Sequence, residues 1–337
     1  MKINKLYNII VMLLLITSSQ EKFSSLVEKR LSDSDYYKLC LDAESLKQTF
    51  ISFCGENTSI TQREKTILVS QITCVWLKRQ SILTTSEEEN QFCGFCDYCN
   101  YKLWKDEWNS VIKQLIEHLS FLKIPFFDES YHLIRAERKM LQLDIAKKIG
   151  LLTPNTILSN SKQDIVDFVE NNNNECVLKL STHPVFKQNE NIYFVFSNTV
   201  MKSDFKDFDL SINSPVIIQN YIPKKYEVRY TYVYGEHFAC KIESQASNKS
   251  KLDYRRYDFA KTPYTAITPP KLIKECVDKL MIELELNYGA LDFIVTPNDD
   301  WYFLEINPVG QYGWIELLSG LPITDSILKN IRRISNF

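Results

Sequence analysis

The sequence predicts an α/β protein of two to three packed units whose C-terminal part is built on an antiparallel β-ribbon. Three observations predict it: strand and helix signals alternate over the first 130 residues, an amphipathic helix follows at 271–286, and apolar residues recur at every second position of a hairpin at 290–307. A chain of 337 residues can bury cores of that number. With 45% hydrophobic and 24% charged residues it reads as a globular protein, neither disordered nor membrane-embedded. Forty basic against forty-two acidic residues give a net charge of −2, which argues against a general nucleic-acid binder. Only eight glycines are present, too few to rest a phosphate site on a glycine-rich loop. Nine scattered cysteines, an odd number, fit reduced thiols in a cytosol better than a disulfide framework.

Lys2 and Lys5 precede an apolar run from Ile9 to Ile16, which has the form of a signal peptide. We read instead a buried strand, Val11 to Ile16, leading into a helix. Ser18 and Glu21 have capping-box spacing, and Phe23, Leu26, Val27 and Leu31 share one helical face. Cleavage would remove the strand on which that helix packs. Met1 and Met12 are alternative starts, and no later run has the ~20 apolar residues of a membrane span.

Thr66 to Leu77 is β-rich and ends at Lys78 and Arg79, Thr84 to Asn90 is a polar loop, and Trp104 to Leu122 has helical spacing. Cys93, Cys96 and Cys99 have a spacing that suits zinc or an iron–sulfur cluster, but with no fourth ligand nearby we read incidental thiols. One helix is expected from His132 to Ile149, closed by Gly150 and Pro154. A helix at Lys162–Glu170, strands at Cys176–Leu180, Ile192–Phe196 and Val216–Gln219, and a strand pair turning at Gly235 come next. The resulting division is an N-terminal open α/β domain at 11–130, a central part at 131–222 and a C-terminal part at 223–337.

The hairpin carries the chemistry. With its loop centred between Asn298 and Asp299, Asp292 lies directly opposite Glu305, Cβ atoms roughly 4.5–5.5 Å apart, and Asn307 shares their side. Leu291, Phe293, Val295, Tyr302, Leu304 and Ile306 then form the buried side. Opposed like charges need a neutraliser, and these oxygen donors suit Mg²⁺. The plainer alternative is that both carboxylates pair with Lys or Arg.

A magnesium-bound triphosphate also needs cations and an apolar slot. Lys179 and Lys241 each interrupt a β-rich run, although a strand lysine is more often an edge residue. Glu227 and Arg229 share a strand face. The stretch Gln219-Asn220-Tyr221-Ile222-Pro223 can offer backbone amides to a base. Arg255 and Arg256 are a candidate anion clamp, or a solvated loop pairing with Asp253 and Asp258. His183 before Pro184 sits in a long lid-like segment.

The segments RAERKMLQLDIAKKIGLLTP, VLKLS, IIQNYIPKKYEVRYTYVYGEHFACKIESQ, LDYRRYD, LNYGALDFIV and FLEINPVGQYGWIELLSGLPI, in this order, resemble the ATP-grasp superfamily. More narrowly they resemble the maturases that cross-link microviridin-like ribosomal peptides. The resemblance implies an ATP-grasp fold behind an N-terminal pre-ATP-grasp domain, with ATP and Mg²⁺ as cofactors. By it, Lys139 and Lys179 contact phosphates, Gln219, Tyr221 and Ile222 line the base pocket, Glu227 holds the ribose and Lys241 a phosphate. Asp292, Glu305 and Asn307 coordinate metal, while Arg229, Arg256 and Lys241 stabilise the transferring group. The implied reaction activates a carboxylate of a precursor peptide, leader plus core, as an acyl phosphate and closes an ester or amide. A cytoplasmic setting and a homodimer are implied, and neither nucleic acid nor membrane is. Alternatives are addition of amino acids to a protein tail or small molecule, and a pseudoenzyme that only recognises peptide. The chain departs from the pattern in a lid without glycine and in Ala290, where many such ligases carry arginine.

Overall fold

The computed structural model describes residues 12–19, 21, 24–82, 98–181, 185–188, 191–194, 197–205, 214–247, 250–256 and 261–335. Cys93, Cys96, His183 and the stretch Thr84–Asn90 lie outside them, and of Cys99 only the backbone is described. The chain divides into two compact units.

The first unit comprises the described residues up to Leu133, with Gln311–Glu316 and those from Pro322 on. Its strands are β1 (Leu13–Thr17), β2 (Tyr36–Cys40), β3 (Thr49–Ser52), β4 (Ser59–Gln62), β5 (Lys65–Leu68) and β6 (Cys74–Leu77). β1 runs parallel to β2 on one side and to β6 on the other. Leu13 to Ile16 are all 0% exposed, the continuous apolar run of a central parallel strand covered on both faces. The strand expected from this run is therefore present. Where the capping box was expected, the Glu21 amide donates to the Ser18 carbonyl in a turn, and the described helix spans Ser24–Glu28. The β-rich run Thr66–Leu77 is split into β5 and β6 by a 3-10 turn at Val69–Gln71. β4 and β5 are joined through Arg63 and Glu64, both at positive φ, as a two-residue hairpin turn requires.

The second unit holds Ile134–Gly310 and Leu317–Leu321. The sequence division carries the third part to residue 337, whereas 311–316 and the helix Ile323–Ser335 pack within the first unit. Its strands are β7 (Thr156–Ser159), β8 (Cys176–Lys179), β9 (Val185–Gln188), β10 (Asn191–Phe194), β11 (Asn198–Val200), β12 (Val216–Asn220), β13 (Tyr226–Val233), β14 (Glu236–Ile242), β15 (Tyr264–Ile267), β16 (Tyr288–Val295) and β17 (Trp301–Asn307). They form an antiparallel sheet β11-β8-β12-β7, a β9-β10 hairpin, and an antiparallel sheet β15-β14-β13-β16-β17. Helix Lys162–Asn171, capped by the Ser161 hydroxyl, buries Ile165 and Val169 against Cys176, Val200 and Ile218 of the first of these sheets. Helix Lys271–Leu284 buries Ile273, Cys276, Val277, Leu280, Met281 and Leu284, the stripe its spacing predicts.

The helix expected at His132–Ile149 is two helices, Ser130–Ala136 and Lys139–Lys148. Buried Gln142 explains how the break is tolerated. Its amide donates to the Ala136 carbonyl left open at the break and to the Ile306 carbonyl of β17 (2.9 Å), and it accepts from the Ile306 amide at 3.0 Å. The break makes Lys139 the first residue of the second helix. Among the described residues no helix is long and apolar enough to cross a membrane.

Phe293 is fully buried, its ring 5.6–5.8 Å from those of Trp301, Phe303 and Tyr230. Truncation by Phe293→Ala is expected to cost about 3–5 kcal/mol in urea-unfolding free energy. A loss below about 1 kcal/mol would show that this cluster does not hold the sheet.

Candidate active site

Side chains alternate across a sheet, so the pairing of β13, β16 and β17 decides what faces together. Arg229 pairs with Asp292, and Asp292 with Glu305, which puts one cation and two carboxylates in a row on one face. Glu227 joins that face through its partner Ile294. The expected pairing of Asp292 with Glu305 is present, although its premise needs correcting. Val295 pairs with Trp301, so the loop centres on Asn298, one half-step from the expected position. A β-bulge then intervenes: Phe293 pairs with Phe303, and Leu304 is the extra residue before Glu305. The bulge restores the register at the carboxylates and exchanges faces along the rest of β17. Trp301 and Phe303 are buried where Tyr302 and Leu304 were expected, and Leu304 turns to the cleft beside Ile294.

An open cleft, about 630 Å³ with the solvent-filled mouth included, lies between the two antiparallel sheets of this unit. Val177, Ile222, Ile294 and Leu304 give it apolar walls, and Lys179, Gln219, Tyr221, Lys224, Glu227, Arg255, Asp292 and Glu305 also line it. The Asn220 and Tyr221 amides are committed to the Asn155 and Glu175 carbonyls at 3.1 and 2.8 Å. Ile222 makes no such backbone bond among the described residues, which leaves its N–H to a ligand in the cleft. Gln219 is buried and donates to the Thr156 hydroxyl at 3.0 Å.

The carboxylates are neutralised from within, as the plainer alternative had it. Arg229 Nη1 donates to both oxygens of Asp292 at 2.9 and 3.1 Å, and Tyr254 donates to Asp292 Oδ1 at 3.1 Å. Lys139 donates to Glu305 Oε2 at 2.9 Å. Burial works against the Arg229 charge, but Asp292 outweighs it and holds the guanidinium proton more tightly than usual. Burial alone would raise the Glu305 carboxyl; Lys139 and Lys179 reverse this and hold it at about 2. Burial pushes the Lys179 ammonium down, against the pull of Glu305. Burial likewise pushes Glu227 up, against Lys224.

The donor set still fits a divalent cation. A carboxylate offers about four lone-pair positions. Asp292 uses three in these bonds and Glu305 one, and the Asn307 side chain, on the same face through its partner Ala290, has no hydrogen bond among the described residues. Arg229 also occupies the room above Ala290: a Cβ on Gly310 would lie 2.6 Å from Ala290 Cβ and 3.0 Å from Arg229 Nη2. A guanidinium from β13 thus stands close to Ala290.

One expected residue is not brought here. Lys241 pairs with Val228, whose other partner is Phe293, so it lies on the opposite sheet face from Asp292. There its ammonium sits 4.6 Å from the Tyr226 ring centroid and pairs with Glu243. Alternation on β14 is the reason, since Lys241 has the wrong parity to join Cys240 beside Arg229. The side chain of Arg256 lies outside what the structure describes. Its neighbour Arg255 lines the cleft and grips Asp253 through Nε (2.8 Å) and Nη2 (2.6 Å); Asp253 is only 5% exposed, so this is no solvated loop pair.

Sequence reasoning missed Lys224, whose buried ammonium donates to Glu227 Oε1 at 2.9 Å and to the Leu252 carbonyl at 2.8 Å. Its place just after Pro223 and three residues before Glu227 was the available signal. Tyr254, and Ser197 on the cleft wall, carried none.

No family model matches the sequence. Among solved structures the chain is similar to macrocyclase MdnC of Microcystis aeruginosa bound with precursor peptide MdnA, at 25% identity, 96% of this chain and 100% of that one, with a TM-score of 0.82. It is similar also to a RiPP-associated ATP-grasp ligase of Chryseobacterium gregarium in complex with ADP and a leader and core peptide, at 25% identity, 96% and 97% coverage and a TM-score of 0.81. The chain has the ATP-grasp fold of these neighbours and matches them over nearly its whole length. A curated relative, the putative BTB/POZ domain-containing protein L788 of Acanthamoeba polyphaga mimivirus, is 22% identical over 204 residues, 56% of this chain. The match spans 40% of that relative's length.

The Glu305 carboxyl, held at about 2 against its ordinary 4.5, stabilises the fold above about pH 4.5, and that contribution is lost as pH falls towards 2. Denaturant unfolding between these values should therefore show an acid-side loss in the wild type that Glu305→Gln lacks. Matching pH slopes for the two proteins would remove the ion pair from the account.

Proposed function

We propose that the protein is an ATP-dependent, magnesium-requiring carboxylate ligase that activates Asp or Glu side chains of a ribosomally made precursor peptide and closes ester or amide cross-links. The observation that carries this is the row Arg229, Asp292 and Glu305, with Lys139 and Lys179 beside it, at the edge of a half-apolar cleft. Its form supports a nucleotide with the base between Val177, Ile222 and Leu304, the Ile222 N–H on the base edge, and Glu227 towards the ribose. Lys179, Lys139 and Arg255 supply positive charge for the phosphates. Asp292, Glu305 and Asn307 would hold magnesium, which supplies neutralisation of the phosphate oxygens when bound.

The reaction balances in two displacements. A substrate carboxylate oxygen attacks the γ-phosphorus of ATP, the bond to the β-phosphate oxygen breaks, and ADP leaves. A hydroxyl or amine of the same peptide then attacks the acyl carbon and loses its proton, and phosphate departs with the former bridging oxygen. The protein contributes position and fixed charge, since the chemistry needs no covalent enzyme intermediate. Arg229, pinned by Asp292 and facing Gly310, is placed to meet negative charge developing on the transferred group.

The partner on this reading is a precursor peptide with leader and core, acting as a homodimer's substrate in the cytoplasm without nucleic acid or membrane. The net charge of −2 supports the absence of nucleic acid, and the six described cysteines, all free thiols, support a reducing compartment. A division near residue 222 into two halves of the nucleotide site is supported by the two sheets that line the cleft.

Incubation of a candidate precursor peptide with protein, ATP and Mg²⁺ should remove about 18 Da, one water, per linkage in mass spectra. A gain of an amino-acid residue would replace this reading with tail ligation. Glu305→Gln is expected to lower peptide-dependent ADP release by about 10²–10³-fold. Undiminished release would withdraw Glu305 from the metal set.

A further inference from the structure

Asp292 sits at the centre of the charged row, and its oxygens are filled one lone pair at a time. A carboxylate offers about four such positions, an inner and an outer one on each oxygen. A single nitrogen, Arg229 Nη1, lies 2.9 Å from Oδ1 and 3.1 Å from Oδ2. Such similar distances place it between the oxygens, in the seat that a cation held by both at once would need. The Tyr254 hydroxyl donates to Oδ1 at 3.1 Å and takes the outer position there. No other bond to the Asp292 carboxylate is made among the described residues. What remains for a ligand is the outer lone pair of Oδ2.

Both donors are held in place. Tyr254 is buried at the start of the 3-10 turn Tyr254–Arg256, and the residues before it are tied down. Lys224 donates to the Leu252 carbonyl at 2.8 Å. Asp253 accepts from the Arg255 amide at 3.0 Å, from the Arg255 guanidinium at 2.8 and 2.6 Å, and from the Ser197 amide at 3.4 Å. On the other side, the buried Arg229 guanidinium packs against Gly310, where a Cβ would come within 3.0 Å of Nη2. Two anchors from different elements fix the rotation of the carboxylate about Cβ–Cγ. Either anchor alone would let it turn. Hydrogen bonds of this kind to a ligating carboxylate set how it meets a metal.

Coordination chemistry converts that fixed orientation into selectivity. Mg²⁺ demands a near-ideal octahedron at about 2.0–2.1 Å, which one oxygen per carboxylate satisfies. Ca²⁺ takes roughly 6–8 oxygens at about 2.3–2.6 Å and readily uses both oxygens of a carboxylate. A carboxylate with one oxygen on offer suits the first ion and underserves the second. We propose that Tyr254 is a positioning residue that, with Arg229, makes Asp292 a one-oxygen ligand through Oδ2 and so tunes the site to Mg²⁺ over Ca²⁺. That a cation arrives here with a nucleotide rests on the ligase reading above; the occupancy of the Asp292 oxygens does not. Tyr254 acts through Asp292 and is not itself a ligand.

The test uses the full chain saturated with ADP, with bound Mn²⁺ followed by electron paramagnetic resonance as Mg²⁺ or Ca²⁺ displaces it. Wild type should release Mn²⁺ at lower concentrations of Mg²⁺ than of Ca²⁺. Tyr254→Phe keeps the ring and loses the hydroxyl. It should shift the ratio of the two displacing concentrations at least ~5-fold toward Ca²⁺, because the freed carboxylate can turn and give both oxygens to the larger ion. A purely structural role would weaken both ions alike and leave the ratio unmoved. Should Tyr254→Phe fail to give a native circular-dichroism spectrum, infrared difference spectra of wild type decide the matter. With the aspartate side-chain carboxyls labelled with carbon-13, metal-loaded minus metal-free spectra should show the wide splitting of carboxylate stretches that one-oxygen ligation gives. An unchanged ratio in natively folded Tyr254→Phe, a wild type that prefers Ca²⁺, or the narrow splitting of two-oxygen ligation in wild type would each overturn the proposal. ADP release by the wild type with a precursor peptide is followed separately. Its absence beside the expected shift in ratio would sink the ligase reading and leave the role of Tyr254 standing, whereas release with an unchanged ratio would do the reverse.

Discussion

The buried pair of Arg229 and Asp292 is the interaction on which the site depends. Both groups are under 10% exposed, on adjacent strands of an antiparallel sheet. Alone, either charge would be costly there, because an unpaired ion in a low-dielectric interior loses several kcal/mol of hydration. Together, and with the Tyr254 hydroxyl on Asp292, they form a rigid charged floor. Such a floor is a weak source of net stability and a strong source of position. Charge that develops in a reaction meets groups already oriented, with little reorganisation left to make.

Around it, cations are brought in from several elements. Lys139 reaches Glu305 because a helix breaks before it, and the break is held by the Gln142 amide bridging the first helix and β17. Lys179 comes from β8, Lys224 from the turn after Pro223, and Arg255 from a short 3-10 turn where Asp253 fixes it. Each is tied to an acid of its own or stands near one. The cleft is therefore charged without a large imbalance, which suits a site that must bind an anion and a cation together and release both.

The ribbon shows how local irregularity serves the site. Without the Leu304 bulge, a hairpin centred on Asn298 would pair Asp292 with Leu304 and put the two carboxylates out of line. With it, Asp292 and Glu305 are opposed, the aromatic residues Trp301 and Phe303 fill the core, and Leu304 becomes a wall of the cleft.

What the sequence determined by itself was whatever depends on near neighbours in the chain. The apolar run of β1, the stripe of the Lys271–Leu284 helix and the parity that joins Glu227 with Arg229 follow from periods of one strand or one helix. That Asp292, Glu305 and Asn307 share one hairpin was legible, but their alignment on one face also needed the Leu304 bulge, which no period announces. Tertiary structure decided the rest. The face on which Lys241 lies depends on its pairing with β13, the break before Lys139 on a bond to β17, and the role of Lys224 on a carbonyl in another loop. Those choices are settled by contacts between residues far apart in sequence, where burial and hydrogen-bond satisfaction outweigh local preference, and no periodicity records them.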